Sequence, residues 1–348
     1  MEMNNKKTKH LYKKNGFWFV RYKDPINKSW KGISTGLKDL EKNFNNAKIY
    51  RDEFLENLKK IEALEFKEGT IEEAFDRFKE LNSNKSESTR ATYEYFFDYL
   101  KEYIDVSQPC LVITKLNSEG FISWLFKKDA LEQNTKYGIQ KNFVKFLNFL
   151  FEYEYLPKFF KLNKDVRIKP AVKEPIIFSN KDRKKIISEL VPQEKNENFQ
   201  LMIYLLMYSG LRPSDIINLT FDQIDLEKME MRFYSSKTGN WFVRPIHNNI
   251  KEILTKSIEG KKSERLFDYT EVKNMGKAFQ RYLSDIGLDG KDYDLRTFRK
   301  DFISRSQEAG VPINVTASLV GHSNIKTTMT YYTKLSSNHL KKELKKLK

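Results

Sequence analysis

One cysteine and four histidines in 348 residues leave almost no material for a disulfide framework or a Cys/His metal cluster. Cys110 has no partner with which to form a bridge inside the chain, which suits a reducing, intracellular setting. No apolar run approaches the roughly 20 residues that a membrane-crossing helix needs; the longest extends only from Leu201 to Tyr208. The basic start, Lys6-Lys7-Thr8-Lys9, lacks the apolar stretch of a secretory signal. There is no internal repeat, low-complexity block or Gly-rich phosphate loop. These absences point to a soluble, unsecreted protein with no membrane partner and no metal site.

What the chain has in excess is positive charge. Lys and Arg number 63 against 47 Asp and Glu, a formal net charge of +16, and 32% of residues are charged, above the roughly 25% of ordinary soluble domains. A polyanion is the expected partner, although such charge alone supports only sequence-independent attraction to phosphates. With 39% hydrophobic residues the composition is one that folds. The length suits two or three domains.

The pattern along the chain predicts three. In residues 1–66, Phe17, Phe19 and Arg21 alternate with Trp18, Val20 and Tyr22 as a strand, Trp30 to Ser34 offers a second, and from Asp39 to near Gly69 the spacing turns helical. Four helices follow in 67–156: one capped by Thr70, one opening at Ser86 or Ser88, one from Ser118, and one from about Thr135 to Leu150. Pro157, Pro170 and Pro175 fall in a basic stretch, 157–177, that reads as a linker. From 178 to 348 the pattern is mostly helical, with a capped helix at Ser179, an apolar helix from Phe199 to Ser209, and a hairpin over 229–246 around Lys237-Thr238-Gly239-Asn240. The fold class is mainly α with small β elements.

Four pieces of the last third carry chemistry. Ser209-Gly210-Leu211-Arg212 sets Arg212 at a helix junction with Asp215 one turn on. Lys237 lies at the hairpin tip. Arg296 and Arg299 stand at i and i+3, one helix face. Gly321-His322 leads through Thr327-Thr328 to Tyr331-Tyr332. Singly, each has an ordinary explanation: a helix-end charge, a solvated turn lysine, a charged helix face paired with Asp292, Asp294 or Asp301, a packed histidine, a terminal aromatic.

As an ordered set, they resemble the tyrosine recombinase (phage integrase) family. That family combines an Arg in an S/T-G-L-R motif, a hairpin Lys, an H-x-x-R pair, a G-H-x-x-x-x-T-T motif and a Tyr nine residues after its His. Arg212, Lys237, Arg299, His322 and Tyr331 match; Arg296 stands where the family has His. A second alignment reads Tyr293 to Arg296 as the H-x-x-R pair, but Arg299 keeps the family's spacing through Phe302 to Ala309-Gly310-Val311 without a gap. The resemblance implies a small sheet-and-helix arm-binding domain, a helical core-binding domain and a mixed α/β catalytic domain closing around duplex DNA. The candidate DNA contacts it implies are Arg21, Lys23, Lys28 and Lys31 in the first part and Arg90, Lys136, Lys141 and Lys145 in the second.

It further implies that Arg212 and Arg299 neutralise the scissile phosphate, with His322 hydrogen-bonded to it. Tyr331 attacks to give a 3′-phosphotyrosyl bond, and Lys237 protonates the leaving 5′-oxygen. Asp215 orients Arg212. Arg296 can bind phosphate but, always protonated, cannot take a proton from Tyr331. No metal or ATP is needed, since the phosphotyrosyl bond conserves the energy of the broken ester. Implied partners are double-stranded recombination sites, a homo-tetramer spanning two of them, and accessory directionality or DNA-bending proteins in a cytoplasmic, nucleoid-associated setting. The arm-type segment favours integration and excision of a mobile element. Two other readings stand beside this one: a type IB topoisomerase, and a DNA-binding protein whose catalytic site has decayed.

Overall fold

The computed structural model describes residues 9–23, 29–63, 67–157, 159–190, 197–235, 237–259, 264–322, 324–332 and 345. The chain is mainly α-helical with two small antiparallel sheets, and it divides into two compact units, residues 1–172 and 173–348.

The first unit opens with a three-stranded sheet, β1 (Leu11–Lys14), β2 (Phe17–Lys23) and β3 (Trp30–Lys38), in sequence order. The sequence pattern missed β1, which is short and ends in two lysines. Alternation buries Trp18, Val20, Tyr22 and Ile33 against α1 (Phe44–Ala63), whose Ala47, Tyr50 and Phe54 face them. The unit continues with α2 (Ile71–Leu81), α3 (Glu87–Tyr103), a 3-10 turn at Cys110–Val112, α4 (Lys115–Phe126) and α5 (Gln133–Glu152). Thr70 and Glu73 form a capping box at α2, and Ser86, rather than Ser88, caps α3.

The α4 start differs from expectation. Thr114 is the cap, accepting from Asn117 N, while Ser118 is buried in the first turn and donates its hydroxyl back to Thr114 O at 2.8 Å. One core unites the sheet, α1 and α2–α5, with Phe75 stacked on Phe97 at 3.7 Å between ring centroids, Phe96 and Phe146 packed around them, and Phe149 against Phe78.

The proline-containing basic stretch is fastened to this unit through Ala171. Gln140, buried in α5, holds both the N–H and the carbonyl of Ile168, Gln133 donates to Lys169 O, and Asn134 accepts from Ala171 N.

The second unit contains α6 (Asn180–Ser188), α7 (Glu197–Ser209), the single turn α8 (Pro213–Ile216), and a sheet of β4 (Ile224–Asp225), β5 (Glu230–Ser235) and β6 (Asn240–Pro245). After it come α9 (Asn248–Glu259), α10 (Val272–Asp285), α11 (Leu295–Glu308), α12 (Ile313–Val320) and α13 (Ile325–Tyr332). Its core is apolar α7, covered by α9 and α11. No described helix is long and apolar enough to cross a membrane.

Candidate active site

Chemistry gathers where four chain segments meet in the second unit. The turn from α7 to α8 is tight: Gly210 adopts φ +63°, and a Cβ there would lie 2.5 Å from Phe302 Cδ1 of α11. Pro213 then holds Arg212 extended at φ −74°, ψ 146°, which makes it the N-cap of α8. Asp215, buried, accepts from Arg212 Nη1 at 3.4 Å and from Ser235 Oγ at 3.1 Å. Gly210→Ala is expected to cost at least about 1–2 kcal/mol from the left-handed backbone alone, before Phe302 is displaced; urea unfolding measures it.

The start of α11 is fixed by Asp294, which caps Arg296 N and Thr297 N at 2.8 and 2.9 Å. This leaves Arg296 exposed and turns Arg299 inward, 9% exposed, with its Nη1 donating to Gly210 O at 3.0 Å. Two of the acids expected to pair with them are committed elsewhere: Asp294 to the cap, Asp301 to Arg183 and Arg305. Tyr293, the residue that the second alignment would set in the histidine position, donates its hydroxyl to Asp182 at 2.7 Å and packs on Phe178.

Lys237 sits exposed in the β5–β6 turn, which closes through Gly239 N to Ser235 O at 2.8 Å with Gly239 at φ +69°. His322 follows Gly321, the left-handed C-cap of α12, and its Nδ1 lies 2.8 Å from Oγ1 of buried Thr328 on α13. Arg244 of β6 donates Nε to Leu319 O at 3.0 Å and so ties the sheet to the end of α12.

Arg212, Lys237, Arg296, Arg299 and His322 all line one cavity of about 1090 Å³. Lys273 of α10 and Lys300 of α11 line it too, and among the described residues Asp294 is the one acid beside them. Neither lysine was singled out by sequence: Lys300 adjoins Arg299 in the motif, and nothing local marks Lys273. Burial and the charges of Arg299, Arg212 and Lys237 push the His322 imidazole down to about 4 from its usual 6.5. The neutral ring is therefore the form at pH 7. Because the unfolded chain protonates this histidine first, its contribution to stability is complete above about 6.5 and is lost as pH falls toward about 4. A site of this kind attracts an anion bearing several oxygens.

Tyr331 lies by its backbone in the last turn of α13, the helix that begins just after His322; its side chain, like that of Tyr332, is outside the described residues.

The DNA-contact candidates separate. In the first sheet, Arg21 and Lys23 share the outer face, where Arg21 lies 5.0 Å over the Trp30 ring and Trp30 stacks on His10. Tyr12 and Phe19 share that face, and Gly32 leaves room for the Tyr12 ring. Lys31 pairs with Tyr22 and so lies on the opposite face from Arg21, as strand alternation requires. Lys28 is outside the described residues.

In the helical part, Arg90 and Lys141 are exposed. The ammonium of Lys145 is held by Asn82 Oδ1 and the Tyr93 hydroxyl. Lys136 is corrected: it is buried at 7% exposure, and its ammonium donates to Phe126 O at 2.7 Å, so it offers no surface charge to a phosphate.

Residues 177–339 match the model of the phage integrase family. The tyrosine recombinase XerA of Saccharolobus solfataricus is 30% identical over 176 residues, which are 47% of this chain and 57% of that protein. The chain thus spans little more than half the length of this curated relative. Among solved structures, a Tn1549 transposon integrase in complex with a circular intermediate DNA superposes with a TM-score of 0.64 at 16% identity, over 80% of this chain and 99% of that one. A lambda integrase dimer bound to a COC′ core site gives 0.62 at 15% identity, over 94% and 97%. At such identity the structures establish the fold.

Proposed function

We propose, from the premise that this chain belongs through residues 177–339 to the phage integrase family, that it is a site-specific DNA recombinase working through a 3′-phosphotyrosyl intermediate. The observation that carries this is the single cavity lined by Arg212, Lys237, Arg299 and His322, three cations and a neutral imidazole drawn from four segments. Phosphodiester cleavage spreads charge over two nonbridging oxygens, and guanidinium groups fixed beforehand stabilise it without reorganisation. Tyr331 supplies the oxygen that bonds to phosphorus as the bond to the 5′-oxygen breaks. Lys237, on the turn, gives that oxygen its proton. The free 5′-hydroxyl of a second duplex then reverses the step, with no metal or nucleotide consumed.

In this reading, residues 178–348 perform catalysis, 67–156 grip the flanking duplex, and 1–66 hold a separate arm site through the outer face bearing Arg21 and Lys23; 157–177 joins the helical part to the catalytic one. Four copies act on two sites of a mobile element, with accessory bending or directionality proteins as further partners. The test is a duplex nicked beside the cleavage point, so that the released fragment diffuses away. A covalent protein–DNA band on a denaturing gel supports the reading; its absence leaves a DNA-binding module. Strand exchange between two duplexes, rather than relaxation of supercoiled plasmid by a monomer, separates it from a topoisomerase.

A bound phosphate offsets the guanidinium charges around His322 and raises its pKa. The expected result is one imidazole NMR signal, absent in His322→Asn, that titrates near 4 in the free chain and at higher pH with duplex added.

A further inference from the structure

The turn that presents Arg212 is gripped by α11 at two places, and only one of them lies in the cavity. Arg299 donates to Gly210 O, and Arg305, nearly two turns on, donates Nη2 to Met207 O. Met207 belongs to the last turn of α7, whose carbonyls have no donor within the helix. Between the two arginines Phe302 fills the space above Gly210. Positions 299, 302 and 305 thus form one strip on which the end of α7 rests.

Arg305 is itself held. Its Nε donates to Asp301 Oδ2 at 2.8 Å, and the other oxygen of Asp301 takes Arg183 Nη1 of α6 at 2.8 Å. Asp301 is 1% exposed. A buried carboxylate between two guanidiniums recovers little more than its desolvation cost, so its main product is fixed geometry rather than net stability. We propose that Arg305, oriented by Asp301, is a positioning residue: it seats the end of α7 so that Arg212 addresses the same phosphate as Arg299. This rests on the recombinase reading.

The experiment uses the full chain on the nicked duplex and compares Arg305→Met with Arg183→Met. Both remove one ion pair to the same carboxylate, but only the first releases Met207 O. The expected result is a single-turnover cleavage rate lowered by ~10²-fold in Arg305→Met, as displacements near 1 Å produce, with duplex affinity unchanged and Arg183→Met close to wild type. Equal rate losses in the two variants, tracking their melting temperatures, overturn the proposal, as does an Arg305→Met that cleaves normally. Should Arg305→Met not fold, Arg305→Lys decides: slower cleavage at an unchanged melting temperature supports positioning, and a normal rate refutes it. If wild type forms no covalent band, the recombinase reading fails and this inference falls with it; if wild type cleaves, the two are judged separately.

Discussion

Tyr331→Phe leaves the chain folded and bound to duplex DNA but unable to form the covalent adduct, whereas Tyr332→Phe forms it at the wild-type rate. Adjacent positions on an α-helix such as α13 are rotated by about 100°, so only one of the two is expected to serve as the nucleophile. A phenol with an ordinary pKa of about 10 is a poor nucleophile at pH 7; in the proposed mechanism, cations beside it favour the phenolate. In the proposed mechanism, removing the hydroxyl deletes the attacking oxygen itself. The loss is therefore complete on a denaturing gel, while gel-shift affinity, set by many phosphate contacts, stays unchanged. Loss of the band in Tyr332→Phe instead would move the catalytic register by one residue.

The elements that the sequence made legible are those with a local cause. The Thr70 and Ser86 caps, the β5–β6 turn with Gly239 at positive φ, and the inward alternation of Trp18, Val20 and Tyr22 arise from residues a few positions apart. The Lys136 correction was also within reach, because 136 continues the buried stripe of Ile139, Phe143, Phe146 and Leu150 at helical spacing. Thr114 was harder to see, since Ser118 offers an equally good cap until its burial is known.

What sequence could not give is partnership at long range. Arg183 and Asp301 are 118 residues apart, and Lys273 enters the cavity from a helix that carries no motif. The catalytic candidates were readable only as an ordered set, and their meeting in one cavity depends on α7, α11 and the β5–β6 hairpin packing together.

Arg212→Lys and Arg299→Lys each lower single-turnover cleavage by ~10²–10³-fold, the range found when one preorganised donor to a developing oxyanion is lost, while duplex affinity changes little. Lysine keeps the charge but not the planar fork that bonds two oxygens at once, so the deficit isolates geometry from net charge. Lysine is also the safer choice for each site. Alanine at 212 would strand the buried carboxylate of Asp215, and an uncompensated buried charge is strongly destabilising. Alanine at 299 would remove the donor to Gly210 O, at about 1–3 kcal/mol for an unsatisfied buried carbonyl. The two lysine variants differ in one measurable respect. Arg299 also seats the Arg212 turn through Gly210, so Arg299→Lys disturbs both guanidinium positions, and the double variant loses less than the product of the single losses. Strict multiplicativity would mean that the two arginines act on the phosphate independently, and that the bond to Gly210 O does nothing for Arg212.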